Sequence, residues 1–168
     1  RSKHINEAIK QGLFDSTMIT NNSNLKGVTK TSVWKAIKKD IEKNISNISK
    51  PEQLKIVSDD VYNFVRLYPS LLHNNGDPVL WKDYIAGGSN GLKTFFNVRM
   101  SSRSDFVLGV IKKHRNFYAG IEPVAKQLPS FDKQIKEAAQ KIEELYPPAV
   151  FPPIYFLVGN LNSAGTPD

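Results

Sequence analysis

Cysteine is entirely absent from the 168-residue chain. Its absence excludes a disulfide framework and any metal site built from thiolates. Long apolar runs are also lacking, since no stretch approaches the roughly 20 apolar residues that a membrane-spanning helix needs. The chain is nevertheless 40% hydrophobic, which is ordinary for a globular protein long enough to bury a sizeable core. The composition therefore predicts a packed domain without a membrane span.

Acidic residues are the scarcer charge, with 16 aspartates and glutamates against 23 lysines and arginines, for a net charge of +7. A basic balance raises the hypothesis of nucleic-acid binding. The positive charge is diffuse, however, and its densest clusters, at residues 35–39 and 112–115, are not interleaved with aromatics in a binding motif. Lysines on the outer face of a helix usually contact only solvent, so we expect no nucleic-acid partner.

Histidine is scarce and poorly spaced for metal binding. His4, His73 and His114 are far apart in sequence. None has a histidine or carboxylate at the helical spacing that is typical of a zinc site. A Gly-x-Ser-x-Gly nucleophile elbow is absent as well. We therefore predict three surface histidines, no metal site and no catalytic residue within these 168 residues.

Two further patterns can be interpreted either as parts of a functional site or as purely structural features. The adjacent carboxylates Asp59–Asp60 and Glu143–Glu144 do not face one another on a helix, although any of them could meet a distant partner in the fold. Residues 87–91, Gly-Gly-Ser-Asn-Gly, lead into a predicted helix whose N-terminus could hold an anion. They follow a helix rather than a strand, and no Gly-Lys-Ser/Thr occurs. We therefore interpret the serine of this corner as a helix cap.

Apolar residues at steps of three and four predict helices over most of the chain. The acidic residue before Pro78 is typical of a helix N-terminus. Residues 12–29 are polar and asparagine-rich, which favours a loop. The last helix has a clean apolar stripe formed by Phe131, Ile135, Ala138, Ala139, Ile142 and Leu145. The predicted helices cover residues 3–11, 31–48, 52–68, 77–86, 89–100, 104–124 with a break near 120–123, and 130–145.

The one convincing β-strand is Ile-Tyr-Phe-Leu-Val at residues 154–158, an apolar run with prolines before it and glycine after it. A lone strand cannot satisfy its own backbone groups. We therefore expect it to begin a sheet that continues beyond Asp168, and to offer an edge for self-association. The predicted fold class is mainly α, a bundle-like array of helices with one C-terminal strand from an incomplete sheet. The expected segments are 1–29, a helical domain at 30–148, and 149–168.

Two stretches resemble a family of predicted secreted bacterial zinc-dependent peptidases. Residues 151–166, Phe-Pro-Pro-Ile-Tyr-Phe-Leu-Val-Gly-Asn-Leu-Asn-Ser-Ala-Gly-Thr, are similar to a family segment Phe-Pro-x-x-Tyr-Phe-x-x-Gly-x-x-Asn-Ser-Gly-Gly-Thr. In that family the segment shortly precedes a His-Glu-x-x-His helix. Residues 84–95, Tyr-Ile-Ala-Gly-Gly-Ser-Asn-Gly-Leu-Lys-Thr-Phe, resemble its element Tyr-Ile-x-x-Gly-Ser-x-Gly-Leu-x-x-Phe. The chain departs from the pattern at Ala164, and it contains no His-Glu-x-x-His.

The resemblance implies that the chain is the non-catalytic N-terminal helical portion of such a peptidase, secreted, periplasmic or at the cell surface. Zinc and the glutamate base would then lie beyond Asp168. In His-Glu-x-x-His peptidases a sheet edge beside the metal holds the substrate backbone by strand addition. By resemblance, the strand and the polar residues Asn160, Asn162, Ser163 and Thr166 would line a cleft for a peptide or protein substrate.

Two alternatives stay open at this point. Residues 159–165 can be read as a turn with no role in binding. The whole chain can be read as a non-enzymatic helical binding module of a secreted or cell-surface protein, whose partner contacts the asparagine-rich loop or the basic helix faces. A His-Glu-x-x-His motif further along the parent gene would distinguish the peptidase from the binding module.

Overall fold

A computed structural model confirms that the chain is mainly helical, and it describes residues 2–10, 12–73, 77–98 and 104–161. Two short strands form a parallel sheet, β1 (Ile56–Val57) and β2 (Ile154–Tyr155). The helices are α1 (Ser2–Lys10), α2 (Thr17–Thr20), α3 (Val33–Ile48), α4 (Asp59–His73), α5 (Pro78–Gly87), α6 (Asn90–Val98), α7 (Ser104–Lys113), α8 (Arg115–Ala119), α9 (Ile121–Ala125) and α10 (Leu128–Leu145).

The C-terminal strand has a partner within the chain, which corrects the expectation of an unpaired strand. Ile56 lies opposite Ile154, and Val57 lies opposite Tyr155. The Ile154 amide donates to the Lys55 carbonyl at 2.9 Å. The sequence missed the partner because β1 lies in a stretch whose apolar spacing also fits a helix. The backbone hydrogen bonds of β2 outweigh this local preference.

The helix predicted over residues 52–68 is therefore wrong at both ends. Helix α4 begins at Asp59, where the Ser58 carbonyl accepts from the Val61 amide at 3.0 Å, and it continues past Pro69. Proline removes one backbone donor and normally ends a helix. Here the helix continues because its last turns bury Leu71 in the core, and that burial offsets the lost hydrogen bond.

Two other segments differ from the sequence prediction. The expected asparagine-rich loop contains α2, because Ile19 is buried in a core that the periodicity did not include. The long helix predicted over 104–124 is broken twice. The break at Gly120 confirms the expected one, and a further break at His114 was not predicted. The predicted end of the helix over 89–100 lies outside the described residues.

One compact unit comprises residues 1–54 and 136–152. Its core is formed by isoleucines from α1, α2 and α3, with Trp34 packed against them. The amide nitrogen of Asn44 donates to the carbonyls of Ile9 and Leu13, both at 2.9 Å, and so satisfies the backbone at the end of α1. The buried isoleucines are Ile5, Ile9, Ile19, Ile37 and Ile41.

A second compact unit comprises residues 55–135 and 153–168. Phe64 is its fully buried centre, and three tyrosine rings surround it. The ring centroids of Tyr68, Tyr84 and Tyr118 lie 5.7, 6.2 and 5.9 Å from that of Phe64. These spacings are typical of favourable aromatic pairs. The core of this unit is therefore rich in aromatic rings.

Within the described ranges, no helix combines the length and the apolar character needed to cross a membrane.

Candidate functional site

The candidate site is built on the β2 arm, which we define as residues 154–161. The Phe156 amide extends the pairing with β1 by donating to the Val57 carbonyl at 2.8 Å. Further along, the Tyr118 hydroxyl donates to the Gly159 carbonyl at 3.1 Å. Val158 is buried in the same core as Tyr118. The arm is thus held at both ends, by backbone pairing at its start and by a buried tyrosine near its end.

The two stretches that resemble the peptidase family pack against each other. A Cβ added at Gly91 would lie 2.2 Å from Cγ of Tyr155, so the tyrosine ring covers a position where only glycine fits. A Cβ at Gly159 would lie 3.6 Å from Cζ of Phe95, which is ordinary van der Waals contact. Gly91 and Phe95 belong to residues 84–95, whereas Tyr155 and Gly159 belong to residues 151–166. The two motifs therefore form one packing unit in three dimensions.

A groove of about 280 Å³ lies beside the β2 arm. Every lining residue that the structure describes is apolar or glycine. Those residues offer no side chain for acid–base chemistry, and they suit an apolar side chain of a ligand. Leu161 forms part of the wall with φ at 57°, a left-handed conformation that is uncommon for leucine. The lining residues are Val61, Phe117, Ile121, Val124, Ala125, Leu128, Phe156, Leu157, Val158, Gly159 and Leu161.

Of the four residues proposed from the sequence to bind substrate, the structure describes Asn160. Its side chain is only 9% exposed, and its Oδ1 accepts no hydrogen bond from the residues that the structure describes. A buried amide oxygen that accepts no hydrogen bond lowers the stability of the fold. This atom is therefore the polar group of the arm that a hydrogen-bond donor on a ligand would satisfy. Asn162, Ser163 and Thr166 lie outside the described residues.

The glycine-rich corner between α5 and α6 is a helix cap, as the sequence predicted. The Ser89 Oγ accepts from the Leu92 amide at 3.1 Å and donates to Oδ2 of Asp60 at 2.5 Å. The Ser89 amide donates to the other oxygen, Oδ1, at 3.0 Å. The negative group at the start of α6 is thus the Asp60 carboxylate from α4, which takes the position of an external anion. A Cβ at Gly88 would lie 2.3 Å from Cδ2 of the buried Leu92 and 3.0 Å from Asp60 Oδ1, so a larger residue would displace the packing at this corner.

The sequence indicated that either Asp59 or Asp60 could contact a distant residue. It did not indicate which of the two does so. Asp60 is 1% exposed, whereas Asp59 is exposed. Both carboxylates lie in the first turn of α4, and no local pattern separates them. Only the packing of α4 against the corner at Ser89 makes one of them buried.

Buried tyrosines in the second unit are donors rather than bases. Burial raises the pKa of Tyr84, and the negative charge of Asp60 raises it further. Burial, with a smaller contribution from Tyr68, raises the pKa of Tyr118 to about 12. The Tyr84 hydroxyl donates to the Asp60 carbonyl at 3.0 Å, as Tyr118 does to Gly159. At neutral pH these hydroxyls keep their protons and hold the backbone in place.

No metal centre is assembled by the residues that the structure describes, since no three histidine, aspartate or glutamate side chains converge there. His4 lies on α1, His73 ends α4, and His114 separates α7 from α8. All three side chains are exposed, which agrees with the predicted surface positions.

Comparison of the chain with family models, with curated proteins and with solved structures finds no match in any of the three.

Proposed function

We propose that this chain is the non-catalytic helical portion of a secreted zinc-dependent peptidase, and that the β2 arm forms one wall of its substrate cleft. The observation that supports the proposal most directly is the contact of Gly91 with Tyr155. It joins the two sequence stretches that resemble the peptidase family, although about 60 residues separate them. Stretches that pack together in this way act as one structural unit, as expected if both belong to the same inherited motif.

The β2 arm has the features that binding of an extended peptide requires. Among the described residues, β2 pairs with β1 alone, and in this proposal its other edge accepts a peptide backbone by strand addition. The apolar groove beside the arm would take a side chain of that peptide. The described residues do not form a set of ligands that could hold a zinc ion, so no chemical step is assigned to them. Zinc, which would activate water, belongs in this proposal to the part of the parent protein beyond Asp168.

The test uses the full-length parent protein. Its zinc content is measured by mass spectrometry, and its activity is measured on a quenched fluorescent peptide with an apolar residue near the cleavage point. We expect about one zinc per chain, as in peptidases that use a single catalytic zinc. A parent protein without zinc and without hydrolysis would refute the peptidase assignment.

A substitution then tests the role of the arm. Val124→Glu places a charge in the groove at an exposed helix position, and Val79→Glu is its matched control on α5, away from the groove. Because substrate and transition state contact the groove equally, Val124→Glu should raise KM about tenfold or more and leave kcat unchanged. Val79→Glu should change neither. Equal effects of the two substitutions on KM would contradict the proposal that the β2 arm forms a wall of the substrate cleft.

A second candidate function is a non-enzymatic helical binding module. The specific observation that favours it is the apolar lining that the described residues give the groove, which suits binding and contains no catalytic group. In that case the parent would hold no zinc, and an apolar peptide would bind the isolated chain without being cleaved. Isothermal titration with such a peptide, repeated on Val124→Glu, separates this function from that of a peptidase cleft wall.

A further inference from the structure

Leu161, the last residue of the β2 arm, has a backbone conformation that leucine rarely adopts. In the described part of the chain it is the one residue other than glycine with a positive φ, at 57°. The left-handed conformation crowds Cβ against the following carbonyl oxygen, which lowers the ratio of folded to unfolded protein by a factor of about 5–30. Glycine adopts it without that penalty. Backbone strain of this kind is concentrated at functional sites.

Burial of the Leu161 side chain does no more than offset the strain. The side chain is 47% exposed. Burying half of a leucine favours the folded state by about as much as the left-handed conformation disfavours it. The arm is already anchored before this residue, since the Gly159 carbonyl accepts from the Tyr118 hydroxyl and Asn160 is buried. Leucine at this position therefore adds no net stability that glycine would lack.

The leucine side chain does supply part of the wall of the groove. Phe117 and Val124 line the same groove and are also about half exposed, at 56 and 53%. The groove has a volume of about 280 Å³, whereas an apolar cavity of about 150 Å³ is large enough to bind benzene. The groove therefore has room for the ring of a phenylalanine side chain.

We infer that Leu161 determines the specificity of the β2 arm for a peptide with a large apolar side chain, so that phenylalanine is preferred to alanine. The inference rests on the proposed function, because it assigns a role to one wall of the proposed cleft. It also favours the binding interpretation of residues 159–165 over that of a plain turn. A plain turn selects glycine or asparagine at a left-handed position, whereas a binding wall needs an apolar side chain there.

Binding of two short peptides to the 168-residue chain tests the inference. Both peptides carry fluorescein and differ only at the central residue, phenylalanine or alanine, and fluorescence anisotropy gives their dissociation constants. Wild type should bind the phenylalanine peptide about tenfold more tightly. Leu161→Gly and Leu161→Asn should each reduce this preference about three- to tenfold. Leu161→Met, which conserves the volume of the side chain, should restore most of it.

Leu72→Asn is the matched control for binding. Leu72 is also a partly exposed leucine, but it lies on α4 and does not line the groove. The variant should therefore keep the preference of wild type for the phenylalanine peptide. Equal losses of preference in Leu72→Asn and Leu161→Asn would overturn the assignment of specificity to Leu161.

Urea unfolding of the same variants distinguishes a binding role from a structural one. Leu161→Gly relieves the strain and loses a half-buried side chain, so the ratio of folded to unfolded protein should stay within about fivefold of wild type. If Leu161 serves the fold alone, this ratio falls by more than about thirtyfold and the preference between the peptides is unchanged. That result would contradict the inference.

A wild-type chain that binds both peptides equally, or neither at concentrations on the order of millimolar, would also overturn the inference. Failure of the peptidase assignment is recognised separately, from the absence of zinc and of hydrolysis in the full-length parent. A parent that hydrolyses the phenylalanine peptide with the same KM before and after Leu161→Gly would refute the role of Leu161 and leave the peptidase assignment in place.

Discussion

Replacement of Asp60 by alanine should destabilise the second unit by about 3 kcal/mol. The carboxylate accepts from the Ser89 amide at 3.0 Å and from the Ser89 hydroxyl at 2.5 Å, in a position that is almost fully buried. Alanine would leave two donors without an acceptor, and each orphaned buried donor costs about 1–3 kcal/mol. Loss of negative charge at the starts of α4 and α6 adds about 0.3–1 kcal/mol. Because the Ser89 hydroxyl can rotate towards another acceptor, its loss of Asp60 costs less than the full penalty. The expected destabilisation therefore lies in the lower part of the range obtained by adding these contributions.

The neighbouring Asp59 provides the matched control. It lies in the same first turn of α4 and has the same charge, but it is exposed. Asp59→Ala should therefore cost only the helix-dipole contribution of about 0.3–1 kcal/mol. The difference between the two alanine variants isolates the contact with Ser89.

A double-mutant cycle measures that contact directly. Ser89→Ala removes the hydroxyl that Asp60 accepts from and that caps α6, and it should cost about 1–2 kcal/mol. The Asp60→Ala/Ser89→Ala double variant should cost at least 1 kcal/mol less than the sum of the single variants, because the two residues share one interaction.

Urea unfolding followed by tryptophan fluorescence is a suitable assay, because the two tryptophans lie in different units. Trp81 is buried in the second unit and Trp34 packs in the first. A Trp34→Phe background makes Trp81 the sole reporter of the unit that contains Asp60. If Asp60→Ala costs no more than Asp59→Ala, or if the cycle is additive, the reasoning about the buried carboxylate is wrong.

Further predictions concern the glycine at the β2 arm, a buried tyrosine and the core of the first unit. Gly91→Ala should destabilise the second unit by about 2–3 kcal/mol, because the new Cβ would overlap Tyr155. Gly109→Ala has open space and should stabilise the unit by about 0.5–1 kcal/mol in the same urea assay. The pKa of Tyr118 is raised from 10.0 to about 12, so its contribution to stability is complete below pH 10 and is lost as the pH rises through 12. Unfolding at stepped alkaline pH checks this, and Tyr118→Phe should flatten the decline. Asn44→Leu should cost the first unit about 1–2 kcal/mol, measured by Trp34 fluorescence, because the Leu13 carbonyl loses its donor and the Ile9 carbonyl keeps only the Gly12 amide.

Features that depend on neighbouring residues alone were predictable. The acidic N-cap expected before Pro78 is present, since the Asp77 side chain accepts from the Val79 amide at 2.8 Å. The Ser89 cap and the break at Gly120 were predictable for the same reason. Helix caps and proline or glycine breaks are satisfied within one or two turns, and so a single sequence contains the information needed to place them.

Features that depend on distant residues were not predictable from the pattern. Ile56–Val57 became a strand because β2 lies beside it, about 100 residues further along the chain. The candidate site was predicted in part, since the residues of the β2 arm were named but its groove was not. The wall that faces the arm comes mainly from α8, α9 and the start of α10, which only the packed structure brings to the arm.

The amino-acid sequence by itself determined that the chain is mainly helical, where several helices are capped and broken, and that no cysteine chemistry or His-Glu-x-x-His motif is present. Only the tertiary structure decided which of two adjacent aspartates is buried, which strand β2 pairs with, and that the stripe of α10 faces solvent. The physical reason is range. Hydrogen bonds at helix ends act over a few residues and can be read locally, whereas burial is a property of surfaces that meet only when distant segments pack together.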